Sequence, residues 1–201
     1  EEFFNKLYKR ILSYKDFNKI IFSLSVFDPS KKKFYGSRFV KKEQEINQFN
    51  LIQIPISVGL IFPSECFDSF ENFFNIKFGV GSEYGSGEET LMLFKLIFHN
   101  SYRGILLDGI YVFHDIYEVS KSNFQKNFKY SEATVLITKY MMKSKRVYFP
   151  FLFMLAFTLA TFFRVLISIL KGGDGFVFYK YRLLGLISGC FRKVPYQLIN
   201  E

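Results

Sequence analysis

Apolar residues Phe3, Phe4, Leu7, Tyr8, Ile11 and Leu12 recur at helical spacing behind an acidic first turn, so residues 1–14 are predicted to form an amphipathic helix. The period then changes. Residues 20–27 are β-branched and aromatic, Asp28-Pro29-Ser30 is turn chemistry, and residues 34–40 read as a second strand. Residues 41–50 are polar and read as a surface loop, and residues 54–62 read as a buried strand. A loop region follows, ending in the glycine-dense run Phe78-Gly79-Val80-Gly81-Ser82-Glu83-Tyr84-Gly85-Ser86-Gly87. Residues 88–99 are apolar around much of a helical circumference, which predicts a largely buried helix. Residues 104–107 and 110–114 read as two short strands split by Asp108-Gly109, and residues 131–145 as a helix. Strands and helices alternate irregularly and no internal repeat is visible, so the expected class is an α/β or α+β layer.

Residues 147–170 are the most apolar stretch, with Arg164 the single charge among 24 residues. At about 1.5 Å per residue that is long enough to cross a hydrocarbon core of about 30 Å. Two features point to a helix that lies in the interface or re-enters rather than crosses. Thr158, Thr161, Arg164, Ser168 and Lys171 make a narrow polar stripe at helical spacing. Basic residues also flank both ends: Lys139, Lys143, Lys145 and Arg146 before, then Lys171, Lys180 and Arg182 after. Such flanks favour the cytoplasmic side, and here both ends ask for the same one. The competing reading is a buried helix packed on the domain.

Composition sharpens this division. The chain has 201 residues, 49% hydrophobic and 20% aromatic, which excludes intrinsic disorder. Its net charge of +9 is concentrated: residues 139–201 carry +8 and residues 1–138 only +1. Basic residues around an apolar run favour an anionic membrane surface, and no nucleic-acid partner is expected, because no recognised nucleic-acid motif is present. Two cysteines, Cys66 and Cys190, cannot make a disulfide framework, and a reducing compartment is the simplest reading. The chain opens Glu-Glu-Phe-Phe without an initiator Met, as expected of a piece of a longer protein.

The chemistry concentrates between Phe74 and Asp115. Glu88 and Glu89 begin a helix straight after the glycine-rich loop. A carboxylate at a helix N-terminus is held ionised by the dipole and can serve as a general base. An alternative is structural: Ser86-Gly87-Glu88-Glu89 has capping-box spacing, in which Glu89 would accept from the Ser86 N–H.

Three elements in order, Phe74-Asn75-Ile76-Lys77-Phe78-Gly79-Val80-Gly81, Gly87-Glu88-Glu89-Thr90 and Ile110-Tyr111-Val112-Phe113-His114, resemble the acceptor-side half of a family 2 glycosyltransferase of the GT-A fold. That family includes the bacterial enzymes that build capsules and O-antigens. The resemblance covers residues 54–115 most specifically. The flanking strands and the tail run Arg182-Leu183-Leu184-Gly185-Leu186-Ile187-Ser188-Gly189 are similar more loosely. It implies a partial GT-A half-domain over residues 1–138, followed over 139–201 by membrane-associating helices.

The implied activity is inverting transfer of a sugar from a nucleotide-sugar donor to a glycan or lipid-linked acceptor. The implied place is the cytoplasmic face of the bacterial inner membrane, peripheral or re-entrant. Glu89 falls on the position of the catalytic base and Glu88 beside it. Gly79, Gly81, Gly85, Ser86 and Gly87 border the substrates. His114 falls where some members hold a divalent metal, Mg or Mn.

Two departures stand out. Asn75-Ile76 replaces an Asp-Glu pair of the family, and no Asp-x-Asp occurs in the chain. The donor-binding half, with most metal ligands, is therefore expected upstream of Glu1, and the fragment alone is expected to be inactive. A rival reading is a non-catalytic, membrane-anchored scaffold or partner-binding module derived from the same fold.

Overall fold

The computed structural model describes residues 2–35, 42–52, 57–68, 74–115, 124–145, 149–171 and 175–194. It is mixed α/β and divides into two compact units, Glu1–Phe73 with Met92–Tyr117 and Phe74–Leu91 with Glu118–Glu201.

The first unit is built on strand β1 (Ile20–Asp28), whose side chains are buried on both faces. That explains the unbroken apolar run, since a strand covered on both sides shows no alternation. It pairs in parallel with β5 (Arg103–Phe113) on one side. On the other it pairs antiparallel with β2 (Lys33–Phe34) and β4 (Leu60–Ile61) at successive stretches. Helix α1 (Glu2–Leu12) lays Leu7 and Ile11 on Ile20, Phe22, Leu24, Ile105 and Leu107. Arg10 fixes the helix further, reaching Glu43 at 2.8 Å and Asp108 at 3.2 Å, while the Tyr14 hydroxyl donates to Glu43.

Three expectations need correction here. Asp108-Gly109 does not end a strand. β5 runs through it as one element, with a register shift against β1 between Ser23 and Ser25. Gly109 absorbs that bulge at φ +65°. The polar stretch 41–50 is not all loop: β3 (Gln44–Ile46) pairs antiparallel with β5, Ile46 turns into the core, and the two polar side chains face out as on an edge strand. Finally, of the buried strand expected at 54–62, residues 54–56 lie outside the described residues and only Leu60–Ile61 is strand. A 3₁₀ turn at Ser57–Gly59 precedes the two-residue β4, because Gly59 lies against the Leu24 carbonyl, 2.7 Å from where a Cβ would stand. Of the expected strand at 34–40, Phe34 belongs to β2 and residues 36–40 lie outside the described residues.

Short helix α2 (Glu65–Asp68) precedes the glycine-rich loop, and α3 (Glu88–Phe98) follows it. The remaining helices are α4 (Phe124–Lys145), α5 (Phe149–Lys171) and α6 (Gly175–Phe191). Contacts of Phe157 with Arg182 and Arg164 with Tyr179 run in opposite chain directions, so α5 and α6 form an antiparallel hairpin. α6 lies parallel to α4, in close approach at two glycines one turn apart. A Cβ at Gly185 would stand 2.2 Å from the Phe128 carbonyl oxygen, and one at Gly189 2.7 Å from Val135 Cβ. Such small-xxx-small spacing lets two backbones meet. Lys139 Nζ closes the far end, donating to the Gly189 and Cys190 carbonyls at 3.3 and 3.0 Å and to that of Arg192.

α5 is apolar on its outside. Leu152, Leu155, Leu159, Phe163 and Ile167 are exposed, whereas Thr161 and Ser168 are buried. These two hydroxyls donate to the Phe157 and Val165 carbonyls of their own helix, at 2.8 Å each. The polar stripe read from the sequence is thus split: Thr161 and Ser168 face inward, Thr158 is half-buried and Arg164 is exposed beside Tyr179. Phe149–Leu170 is long and apolar enough to cross a membrane.

Candidate functional site

The second unit gathers the glycine-rich loop, the start of α3, and helices α4 and α6. The loop is held by its own short-range bonds. Asn75 Oδ1 accepts from the Lys77 N–H at 3.0 Å, an Asx turn, and the Tyr84 N–H returns to the Lys77 carbonyl at 2.9 Å. The Ser82 hydroxyl bridges it further, lying 2.7 Å from the Gly79 carbonyl and accepting from the Gly85 N–H at 3.2 Å. The Phe78 and Tyr84 rings meet as a tilted pair, centres 4.8 Å apart.

Two glycines are required here on both backbone and space. Gly79 has φ +113°, and a Cβ there would sit 3.2 Å from Glu88 Oε1. Gly87 has φ +98°, and a Cβ would sit 2.2 Å from Ile137 Cδ1 of α4. The loop therefore closes directly over the first carboxylate of α3.

That carboxylate is unusual. Glu88 Oε2 is buried and has no hydrogen-bond partner among the described residues. Burial pushes the Glu88 carboxyl above the ordinary carboxylate range, and the adjacent Glu89 charge pushes the same way, while the neighbouring amides of Glu88 and Gly87 oppose them. Glu89, the next residue, is half-buried.

The capping-box alternative fails on register. The first helical bond runs from the Leu91 N–H to the Gly87 carbonyl at 2.9 Å, so Gly87 is the N-cap and Thr90, not Glu89, is the third helical residue. Glu89 thus stands one place too early to close a box. No hydrogen bond joins it to Ser86 among the described residues.

Arg192, just past α6, ties this loop to the helices. Its guanidinium reaches Glu132 at 3.0 Å and Glu83 at 3.9 Å, and stands over the Tyr84 ring at 5.5 Å. Glu132 is a buried carboxylate on α4, satisfied also by the Ser188 hydroxyl at 2.7 Å. Around this network lies a cavity of about 550 Å³ lined by Glu83, Gln125, Lys129, Glu132, Tyr181 and Arg192 among others. Donors, acceptors and an aromatic face together suit a polyhydroxylated ligand better than an apolar one.

Comparison with known proteins finds no match: no family model, no curated protein and no solved structure.

Among the expected site residues, Gly79, Gly81, Gly85, Ser86, Gly87, Glu88 and Glu89 all belong to this second unit. His114 belongs to the first. It is exposed beyond the end of β5, its N–H donating to the Phe27 carbonyl at 3.0 Å, beside an aromatic cluster of Phe27, Phe34, Tyr111 and Phe113. No group of three or more His, Cys, Asp or Glu side chains comes together among the described residues, so His114 belongs to no such ligand set there. A divalent ion would need donors beyond these residues.

Arg192 and Glu132 were not singled out from the sequence. A lone acid inside an otherwise apolar and neutral helix stretch is the signal that could have found Glu132. Gly185-x-x-x-Gly189 is the signal for the helix that brings Arg192 to it.

Proposed function

We propose that this chain is the acceptor-side part of a membrane-associated inverting glycosyltransferase, moving a sugar from a nucleotide-sugar donor to a glycan or lipid-linked acceptor. The observation that carries the reading is the paired carboxylate at the start of α3, where the glycine loop packs on Glu88 and Glu89 stays half-exposed beside it.

In this reading Glu89 takes the proton of an acceptor hydroxyl while that oxygen bonds to the anomeric carbon. The bond from that carbon to the nucleotide diphosphate breaks on the opposite face, so configuration inverts, and the proton leaves Glu89 for solvent. Glu88, packed under the loop and pushed above the ordinary carboxylate range by burial, lies beside Glu89 and tunes the pair. The polar cavity beside the loop seats the rest of the acceptor. A divalent metal, Mg or Mn, would serve to offset charge on the leaving diphosphate, with ligands supplied from outside the described residues.

The exposed apolar side of α5, with basic residues at both ends of the hairpin, supports a place on an anionic membrane surface. Within that proposal the cytoplasmic face and a re-entrant or interfacial seat follow from the basic flanks. The test is incorporation of labelled sugar into lipid and glycan fractions, by membranes containing the full-length protein, across a panel of nucleotide sugars. At least one donor is expected to label. Silence across the panel by a folded protein overturns the reading.

A further inference from the structure

A second cavity, of about 350 Å³, shares Gln125 and Lys129 with the first. It is lined by Val80, Gly81, Ser82 and Gly85 of the loop, and by Gln125, Lys126, Lys129 and Tyr130 of α4. Its charge is one-sided: both charged lining residues are lysines, and no carboxylate lines it.

Neither lysine is spent on an ion pair among the described residues. Lys129 Nζ makes one long bond, 3.4 Å, to the Ser82 carbonyl, and Lys126 Nζ stands 5.3 Å from the centre of the Tyr130 ring. An ammonium has three donors, so each retains most of its capacity. Lys126 and Lys129 are three apart on a helix and therefore share a face. The floor is backbone rather than side chain. Gly81, at φ +88°, has open space where a Cβ would be, and Gly85 lets the loop lie against Lys129, whose Cβ would be 2.9 Å from an added methyl. The arrangement is a shallow, doubly cationic cleft with a glycine floor and a neutral amide, Gln125, at its rim.

We propose that this cleft binds a phosphate group carrying about two negative charges, a phosphate monoester or a diphosphate, held by Lys126 and Lys129 over the glycine loop. Two ammonium groups match a doubly charged oxyanion in number, and the lysines act as point charges that tolerate either form. The proposal concerns binding alone and stands whether or not the chain is a transferase. Two sources share this chemistry, a soluble ligand and a lipid headgroup, and the experiment has an arm for each.

The full chain in detergent is titrated with inorganic pyrophosphate by calorimetry. Separately, its binding to phosphatidylcholine vesicles is compared with binding to the same vesicles containing phosphatidic acid. Lys126→Gln with Lys129→Gln is expected to weaken pyrophosphate binding, or to abolish the preference for phosphatidic acid, by at least about tenfold. Gln125→Glu, which adds a carboxylate at the rim without removing packing, is expected to weaken it in the same direction and serves if the double variant misfolds. Lys180→Gln, on α6 and outside the cleft, leaves the pyrophosphate affinity unchanged.

Binding in the pyrophosphate arm alone identifies a soluble ligand, and a variant-sensitive preference in the vesicle arm alone identifies a lipid headgroup. Either supports the cleft. Absence of both, or wild-type binding by the double variant and by Gln125→Glu, overturns it.

Discussion

Glu88 sits under the glycine loop with one carboxylate oxygen buried and without a hydrogen-bond partner among the described residues. Its carboxyl is raised above the ordinary range chiefly by burial, so the folded protein holds its proton more tightly than the unfolded chain does. By linkage, the stabilising contribution of the protonated form is full below the unfolded carboxylate pKa and is lost as pH rises through the folded one. Glu88→Gln, which mimics the protonated form permanently, is therefore expected to be more stable than wild type at pH 7. The gap should close as pH falls below the usual carboxylate range, as read by denaturant midpoints across pH. A variant less stable than wild type at pH 7 would show that the ionised carboxylate is paired. The burial that sets this behaviour was not legible in the sequence. Two adjacent acids look alike on paper, and only the loop closing over Glu88 separates them.

At the scale of elements, glycines decide which surfaces meet. Gly185 brings α6 onto the α4 backbone, and a side chain there would strike the Phe128 carbonyl oxygen, a main-chain group that cannot rotate away. Gly185→Val is expected to lower unfolding stability by about 3 kcal/mol, the upper range of overpacking, while Leu184→Ala at the neighbouring exposed position changes it little. Denaturation followed by circular dichroism in detergent checks both. Equal stability of Gly185→Val and wild type would mean that α4 and α6 do not touch there.

Three helices were readable from period and apolar length: α1, α3 and α5 fall within a few residues of their expected bounds, whereas α4 starts at Phe124 rather than at the expected residue 131. The strands were less so, for physical reasons. β3 is polar because an edge strand wants solvent on its outer side, and β5 contains Asp108-Gly109 because a bulge uses the same residues as a turn. Residue 138, where the charge divides, lies inside α4, since charge reports surroundings rather than element ends.

At the scale of the molecule, the second unit presents an apolar exterior over small buried hydroxyls, the reverse of a water-soluble helix hairpin. If that exterior faces lipid, Leu159→Lys with Phe163→Lys is expected to weaken vesicle binding at least tenfold. Each lysine costs up to about 2.5–3.5 kcal/mol at depth, and both side chains are exposed, so the fold is retained. Flotation with phosphatidylcholine–phosphatidylglycerol vesicles measures it, and a folded variant that floats like wild type assigns this face to something other than lipid.

The candidate site joins these scales: a carboxylate pair, a glycine loop that covers it, and a helix hairpin that holds the loop through Arg192. In the proposed transferase, Glu89 removes the proton of an acceptor hydroxyl. The most direct measurement of that role is the rate of sugar transfer by Glu89→Gln in the full-length protein, with acceptor binding measured in parallel. The expected result is a loss of about 100-fold or more in rate with acceptor affinity retained. A rate near that of wild type would contradict the claim.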